Sequence, residues 1–170
     1  MVLNQEKEKR RMIDLKIGKS KKDQLMQDKE YQRIVKDILE NEKVMELKNF
    51  PHHGNIDSLS HCIHVSYTSY RIGLKLNLNT NALARGALLH DFYLYDWHIK
   101  GERKGLHGFT HPHTALQNAT ENFTLSPIEK DIIAKHMWPL TIKLPKYKES
   151  FVVMIADKYC AIEETLSRNK

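Results

Sequence analysis

Cysteine is scarce in this chain: Cys62 and Cys160 are the only two in 170 residues. Neither belongs to a Cys-x-x-Cys pair, which leaves a zinc ribbon or a dithiol redox motif unsupported. Both are expected to be small buried thiols. No apolar run approaches the roughly 18 residues needed to span a bilayer. Met1 to Glu6 is followed by charges and lacks the apolar core of a signal peptide. The simplest expectation is a cytoplasmic protein with no membrane contact. Basic and aromatic residues do not alternate as single-strand binding would need. No helix-turn-helix or finger signature stands out, so no specific nucleic-acid motif is expected. Strand-type alternation is absent as well, and so is any internal repeat. The class is all-α.

The formal net charge is +6. Much of it sits in Lys7 to Arg11 and Lys16 to Lys22. A basic surface favours anionic ligands such as nucleotides and phosphate esters, although such runs also serve as plain solvated helix faces. Residues 1–22 read as a charged N-terminal segment, helical or loosely packed. Residues 23–170 read as one compact domain.

Apolar residues recur at helical spacing from Asp23 to Leu47, predicting one or two helices. Pro51 to Asn55 is a break with turn chemistry. A helix capped by Ser58 or Ser60 should carry His61, Val65, Thr68, Ile72 and Leu76, and close at Asn77 to Thr80. The next runs from Thr80 or Asn81 to about His90-Asp91, with Ala84, Gly86 and Ala87 small enough for close approach to a neighbour. Tyr93 to Gly108 reads as a loop of the length that often carries function. Pro112 suits the first turn of a helix that ends near Phe123. Ser126-Pro127-Ile128-Glu129 is a capped helix start. Trp138-Pro139 ends that helix. A last helix spans about Lys148 to Leu166, with Phe151, Val152, Ile155, Tyr159 and Ile162 as its expected buried face.

Five widely spaced points along these helices offer metal ligands: His61, the pair His90-Asp91, His111, His136 and Asp157. Imidazoles and carboxylates from several helices are how a bundle builds a metal site in its core. His90-Asp91 ends an apolar run, where burial without a partner would be costly. Adjacent residues diverge by about 100° around a helix, so Asp91 can bridge two ions while His90 binds one. His64 lies one turn after His61 and competes with it. His107 and His113 compete with His111. His52 and His53 either line the pocket or are surface histidines in a turn. In the loop, Lys100, Arg103, Lys104 and His107 are candidate substrate-binding cations, and Asp96-Trp97-His98 can shape the pocket mouth. A plain basic loop is the competing reading.

His61-Cys62-Ile63-His64-Val65, then Leu88-Leu89-His90-Asp91, then Ile155-Ala156-Asp157-Lys158 resembles the HD-domain superfamily of metal-dependent phosphohydrolases, over roughly residues 30–165. His111-Pro112 and His136 resemble its two-metal subset. The resemblance implies a helical bundle with a metal site in its core. His61, His90, Asp91 and Asp157 would form one site. Asp91, His111 and His136 would form a second, with Asp91 shared. Asp91 and Lys158 are the residues assigned to catalysis. One or two divalent ions (Mn, Fe, Zn, Co or Mg) would activate water against a small phosphorylated substrate, with nucleotides among the candidates. Two other readings fit the same ligands: a di-iron oxygenase on this fold, and a non-catalytic nucleotide-binding module.

Overall fold

The computed structural model describes residues 18–52, 55–99 and 106–167. The chain enters through α1 (Lys19–Gln27) and α2 (Lys29–Glu40). Asp28 separates them: its carboxylate accepts from the Tyr31 amide at 3.0 Å and starts α2. Asn41 does the same for the short α3 (Glu42–Met45), which runs into a 3-10 turn at Glu46–Asn49. The expected one or two helices are thus three with a terminal turn, because two polar caps interrupt a single apolar stripe. Residue 22, the expected segment boundary, falls inside α1.

α4 (Ser58–Leu76) is the central helix. Its cap is Asp57 rather than Ser58 or Ser60. The carboxylate accepts from the Ser60 amide at 2.8 Å and from the Ser60 hydroxyl at 3.0 Å, satisfying two donors where a serine cap would satisfy one. Just before it, an antiparallel bridge joins Pro51 to Asp57, and the His52 amide donates to the Ile56 carbonyl at 2.9 Å. That short tie holds His52 against the start of α4. At the other end Asn77 takes a left-handed conformation (φ 52°) and stops the helix. Asn79 then caps α5 (Thr80–Leu89) through the Ala82 amide.

α6 (His107–Asn122) begins a turn earlier than Pro112 suggests. Pro112 removes the bond to the Gly108 carbonyl. The turn survives because the Thr110 hydroxyl and His111 Nδ1 donate to the Leu106 and His107 carbonyls. α7 (Pro127–Lys135) opens with the expected Ser126/Glu129 capping box. α8 (Lys148–Ser167) closes the fold.

α4 packs along α5 and α8, α5 lies on α2 and α7, and α7 touches α6 and α8. Among the described residues there is no strand beyond that one bridge, and the architecture is all-α. No helix among them is long and apolar enough to cross a membrane. Gly86 sets the α5–α7 distance: a Cβ there would lie 2.8 Å from Ile132 Cδ1. Cys62 and Cys160 are free and buried, as expected.

The buried face of α8 is not the one its large apolar residues suggest. Ile155, Tyr159 and Ile162 are exposed, and Phe151 and Val152 are half-buried. The inward residues are Val153, Met154, Ala156, Cys160 and Glu164. Small and acidic residues face inward because this side of α8 meets histidines of α4 (below), which an apolar stripe could not satisfy.

Candidate metal centre

The side chains that converge come from every major helix except α1 and α2. His61 lies in the first turns of α4 and His90 at the C-terminus of α5, with Asp91 directly after it. His111 is in α6, His136 at the C-terminus of α7 and Asp157 in the middle of α8. All four histidines and Asp91 are buried, and the Asp157 side chain is 15% exposed.

Three of the imidazoles are held by one device. Nδ1 of His90 faces the Ala87 carbonyl at 2.7 Å, that of His111 the His107 carbonyl at 2.7 Å, and that of His136 the Ile133 carbonyl at 3.0 Å. A carbonyl only accepts, so each Nδ1 carries a proton and donates it. Nε2 is therefore the nitrogen left to carry a lone pair whenever the ring is neutral. These Nε2 atoms face one another and carboxylate oxygens. His111 Nε2 and His136 Nε2 are 2.8 Å apart. His90 Nε2 lies 3.5 Å from Asp91 Oδ2 and 3.6 Å from Asp157 Oδ1, and makes no hydrogen bond.

Asp91 stands between two groups. Its Oδ1 is 3.1 Å from His111 Nε2 and 3.4 Å from His136 Nε2. Its Oδ2 is 3.0 Å from His52 Nε2 and faces His90. Asp157 Oδ1 lies 3.0 Å from His61 Nε2. The His52 ring stacks on His61 with centroids 3.8 Å apart.

Electrostatics follow from this crowding. Burial opposes ionisation of Asp91, but the His90 and His111 charges outweigh it and hold its carboxyl well below the usual range. Asp157 is likewise held far down, against burial, by His61 and His90. Burial disfavours a charged His61, yet Asp157 and Glu164 raise its pKa to about 10. His90 is also raised, against burial, by Asp91 and Asp157. His136 goes down instead, through burial and repulsion from His90 and His111 that outweigh Asp91. Buried lone pairs and carboxylates packed this closely need shared protons or a cation between them.

The residues fit a metal. His61, His90 and Asp157 bring ligand atoms within 4.8 Å of one another, as do His90, Asp91 and His136, and also His52, His61 and Asp91. These groups can hold divalent ions. The donor set is imidazole and carboxylate without thiolate, which suits first-row divalent metals.

Other expected site residues lie elsewhere. Lys158 Nζ is 3.5 Å from the Trp138 and Met154 carbonyls, on the exposed side of α8. His107 lies above the centre rather than in it: its ring stacks on His111 (4.4 Å) and Trp97 (5.2 Å), and its Nδ1 is 3.1 Å from the Tyr95 hydroxyl. His113 is exposed. Lys100, Arg103, Lys104 and His53 lie outside the described residues. His98 pairs with Asp96 at 3.0 Å on the loop surface. His64 is buried but turned towards Glu164, at 2.8 Å, rather than towards the converging lone pairs.

Sequence reasoning missed Glu164, which contacts both His61 and His64. The signal was there: Glu164 follows Asp157 by seven residues, two helical turns, and so shares its face. His52 was left between two readings, and its placement is set by the bridge before α4.

In comparisons with known proteins, the HD-domain family profile matches residues 58–162. No curated protein and no solved structure matches the chain.

Proposed function

The chain belongs to the HD-domain family, and from that premise we propose that it is a metal-dependent phosphohydrolase acting on a small phosphorylated substrate, a nucleotide among the candidates. The family and the buried cluster support hydrolase-type metal chemistry in general, and the finer assignment is ours. The observation that carries it is the set of three imidazoles with Nδ1 committed to carbonyls and Nε2 converging on two buried carboxylates.

In this reading His61, His90, Asp91 and Asp157 would hold one ion, and Asp91, His111 and His136 would hold the other. Bound divalent ions would supply an acidified water as nucleophile and positive charge against phosphate oxygens. Asp91 fixes the distance between the two groups. His52, bonded to Asp91 Oδ2 and stacked on His61, keeps that carboxylate oriented. On the His111 side, Tyr93 and His107 pack against the His111 ring and Trp97 stacks on His107. The proposal also assigns the basic loop cations Lys100, Arg103 and Lys104 to the substrate phosphate, gives Lys158 a supporting role, and sets the protein in the cytoplasm.

The test is hydrolysis of a panel of phosphate monoesters, nucleotides and dinucleotides by protein loaded separately with Mn²⁺, Co²⁺, Zn²⁺ and Mg²⁺. Phosphate release that is lost on chelation and in Asp91→Ala supports the reading. Metal-replete protein that is inert across the panel, but consumes oxygen with iron or binds one nucleotide tightly, would contradict it.

A further inference from the structure

Beyond the metal ligands, one buried carboxylate is bonded to two histidines at once. Glu164 Oε2 lies 2.9 Å from His61 Nδ1, and Oε1 lies 2.8 Å from His64 Nδ1. The outer nitrogen of His64, Nε2, is 2.7 Å from Lys21 Nζ on α1. Lys21 also donates to Glu163 Oε2 at 2.7 Å and sits over the Tyr159 ring. Four side chains from three helices form a single line: Lys21, His64, Glu164, His61.

We infer that Glu164 is a positioning residue of the metal centre, and that Lys21 and His64 complete a hydrogen-bond relay fixing which nitrogen of His61 faces the ion. The inference rests on the metal-binding reading above. Lys21 and Glu164 lie outside residues 58–162, the span matched to the family.

The direction of every bond in the line is forced. An ammonium only donates, so His64 Nε2 accepts and its proton is on Nδ1. That Nδ1 donates to Glu164 Oε1. A carboxylate only accepts, so His61 Nδ1 carries a proton and donates to Oε2. His61 Nε2 is then the nitrogen left for a cation beside Asp157. The other three histidines reach the same state through a main-chain carbonyl three or four residues back. For His61 that role passes to a carboxylate two turns past Asp157 on α8. A carboxylate behind a ligating imidazole raises its basicity as well as orienting it. α1 thereby becomes part of the outer shell of a site that its own residues do not touch.

Glu164→Gln separates this role from simple packing. Where the carboxylate sets one oxygen against each Nδ1, the amide sets its donating nitrogen against one of them, so one imidazole must change tautomer or turn. Co²⁺ titration of the full chain, read by visible absorption and by competition with a chelator, is the measurement. The expected result for E164Q is a loss of Co²⁺ affinity of about 10- to 100-fold, the usual outer-shell magnitude, with altered ligand-field bands. The expected result for Lys21→Met is a smaller loss in the same direction, as for a remote member of a coupled network. Melting in chelator shows whether E164Q folds. A folded E164Q with unchanged affinity and spectrum would overturn the inference. If E164Q does not fold, Lys21→Met decides, and unchanged affinity there overturns the relay. Wild-type protein that binds no Co²⁺ would instead remove the metal-binding reading itself.

Discussion

A histidine is useful to a metal only when its other nitrogen has been spoken for. In His90, His111 and His136 that nitrogen is tied to the backbone of the preceding turn, so local helix geometry alone orients the ring. The residues that converge were legible, in order, in the sequence. The reason they face inward was not, because it depends on carbonyls that every helix has. Asp91→Asn should therefore abolish metal loading while leaving the imidazole tautomers intact, read by elemental analysis after dialysis. The pH dependence has a definite sign. In the metal-free state His61 has its pKa raised to about 10, so it is protonated at neutral pH and must release a proton on binding an ion. Metal affinity should rise with pH from neutrality towards 10. Calorimetry in buffers of different ionisation enthalpy should show protons released, and no release would contradict this. For metal-free stability the signs are opposite. Burial works against an ionised Glu164, but hydrogen bonds from His61 and His64 prevail and take its pKa down to about 2. That contribution is fully present above the ordinary value of 4.5 and is lost as pH falls through about 2. The His61 contribution is fully present below 6.5 and is lost as pH rises through about 10.

At the scale of helices, the sequence marked strong caps and breakers well: Ser126 before Pro127, and the stop at Asn77. It misled where the buried histidines of α4 ran against the apolar pattern. α8 was read from Ile155, Tyr159 and Ile162, whose size and spacing suggest a core stripe. The structure turns that stripe outward, at 60%, 55% and 60% exposure, so that Asp157 and Glu164 can meet His61. Ile162→Asp should accordingly change stability by no more than about 0.5 kcal/mol, whereas Val153→Asp should prevent folding. Urea denaturation separates the two. The α6 start was missed because Pro112 looked like a first-turn residue, while side-chain donors carry the helix back to His107. Gly86 gives a further test of helix spacing. Gly86→Val forces groups against Ile132 and should cost about 1–3 kcal/mol, measured by chemical denaturation. His90 and His136 end the two helices concerned, so metal affinity should fall with it.

Across the molecule, no two of the candidate ligands lie in one helix, and the adjacent pair His90-Asp91 follows the end of α5. The centre therefore ties α4, α5, α6, α7 and α8 together. Arg85 does related work nearby, linking Asp37 of α2 to Glu129 of α7. A cation bound only by the folded arrangement stabilises it by mass action, about 2.7 kcal/mol at a hundredfold excess over Kd. For a chain of this size that is a rise in melting temperature of roughly 5–10 °C, read by thermal denaturation with and without chelator. The class and the candidate ligands were legible because residue identity and order survive in one dimension. The convergence itself, and the acid behind His61, belong to three. The most direct test is anomalous diffraction from crystals grown with Mn²⁺ or Co²⁺. The account predicts density bonded to Nε2 of His61 and His90 and to Asp91 and Asp157, with a second peak, where present, at Nε2 of His111 and His136. Density elsewhere, or none at a concentration that saturates the protein in solution, would contradict it.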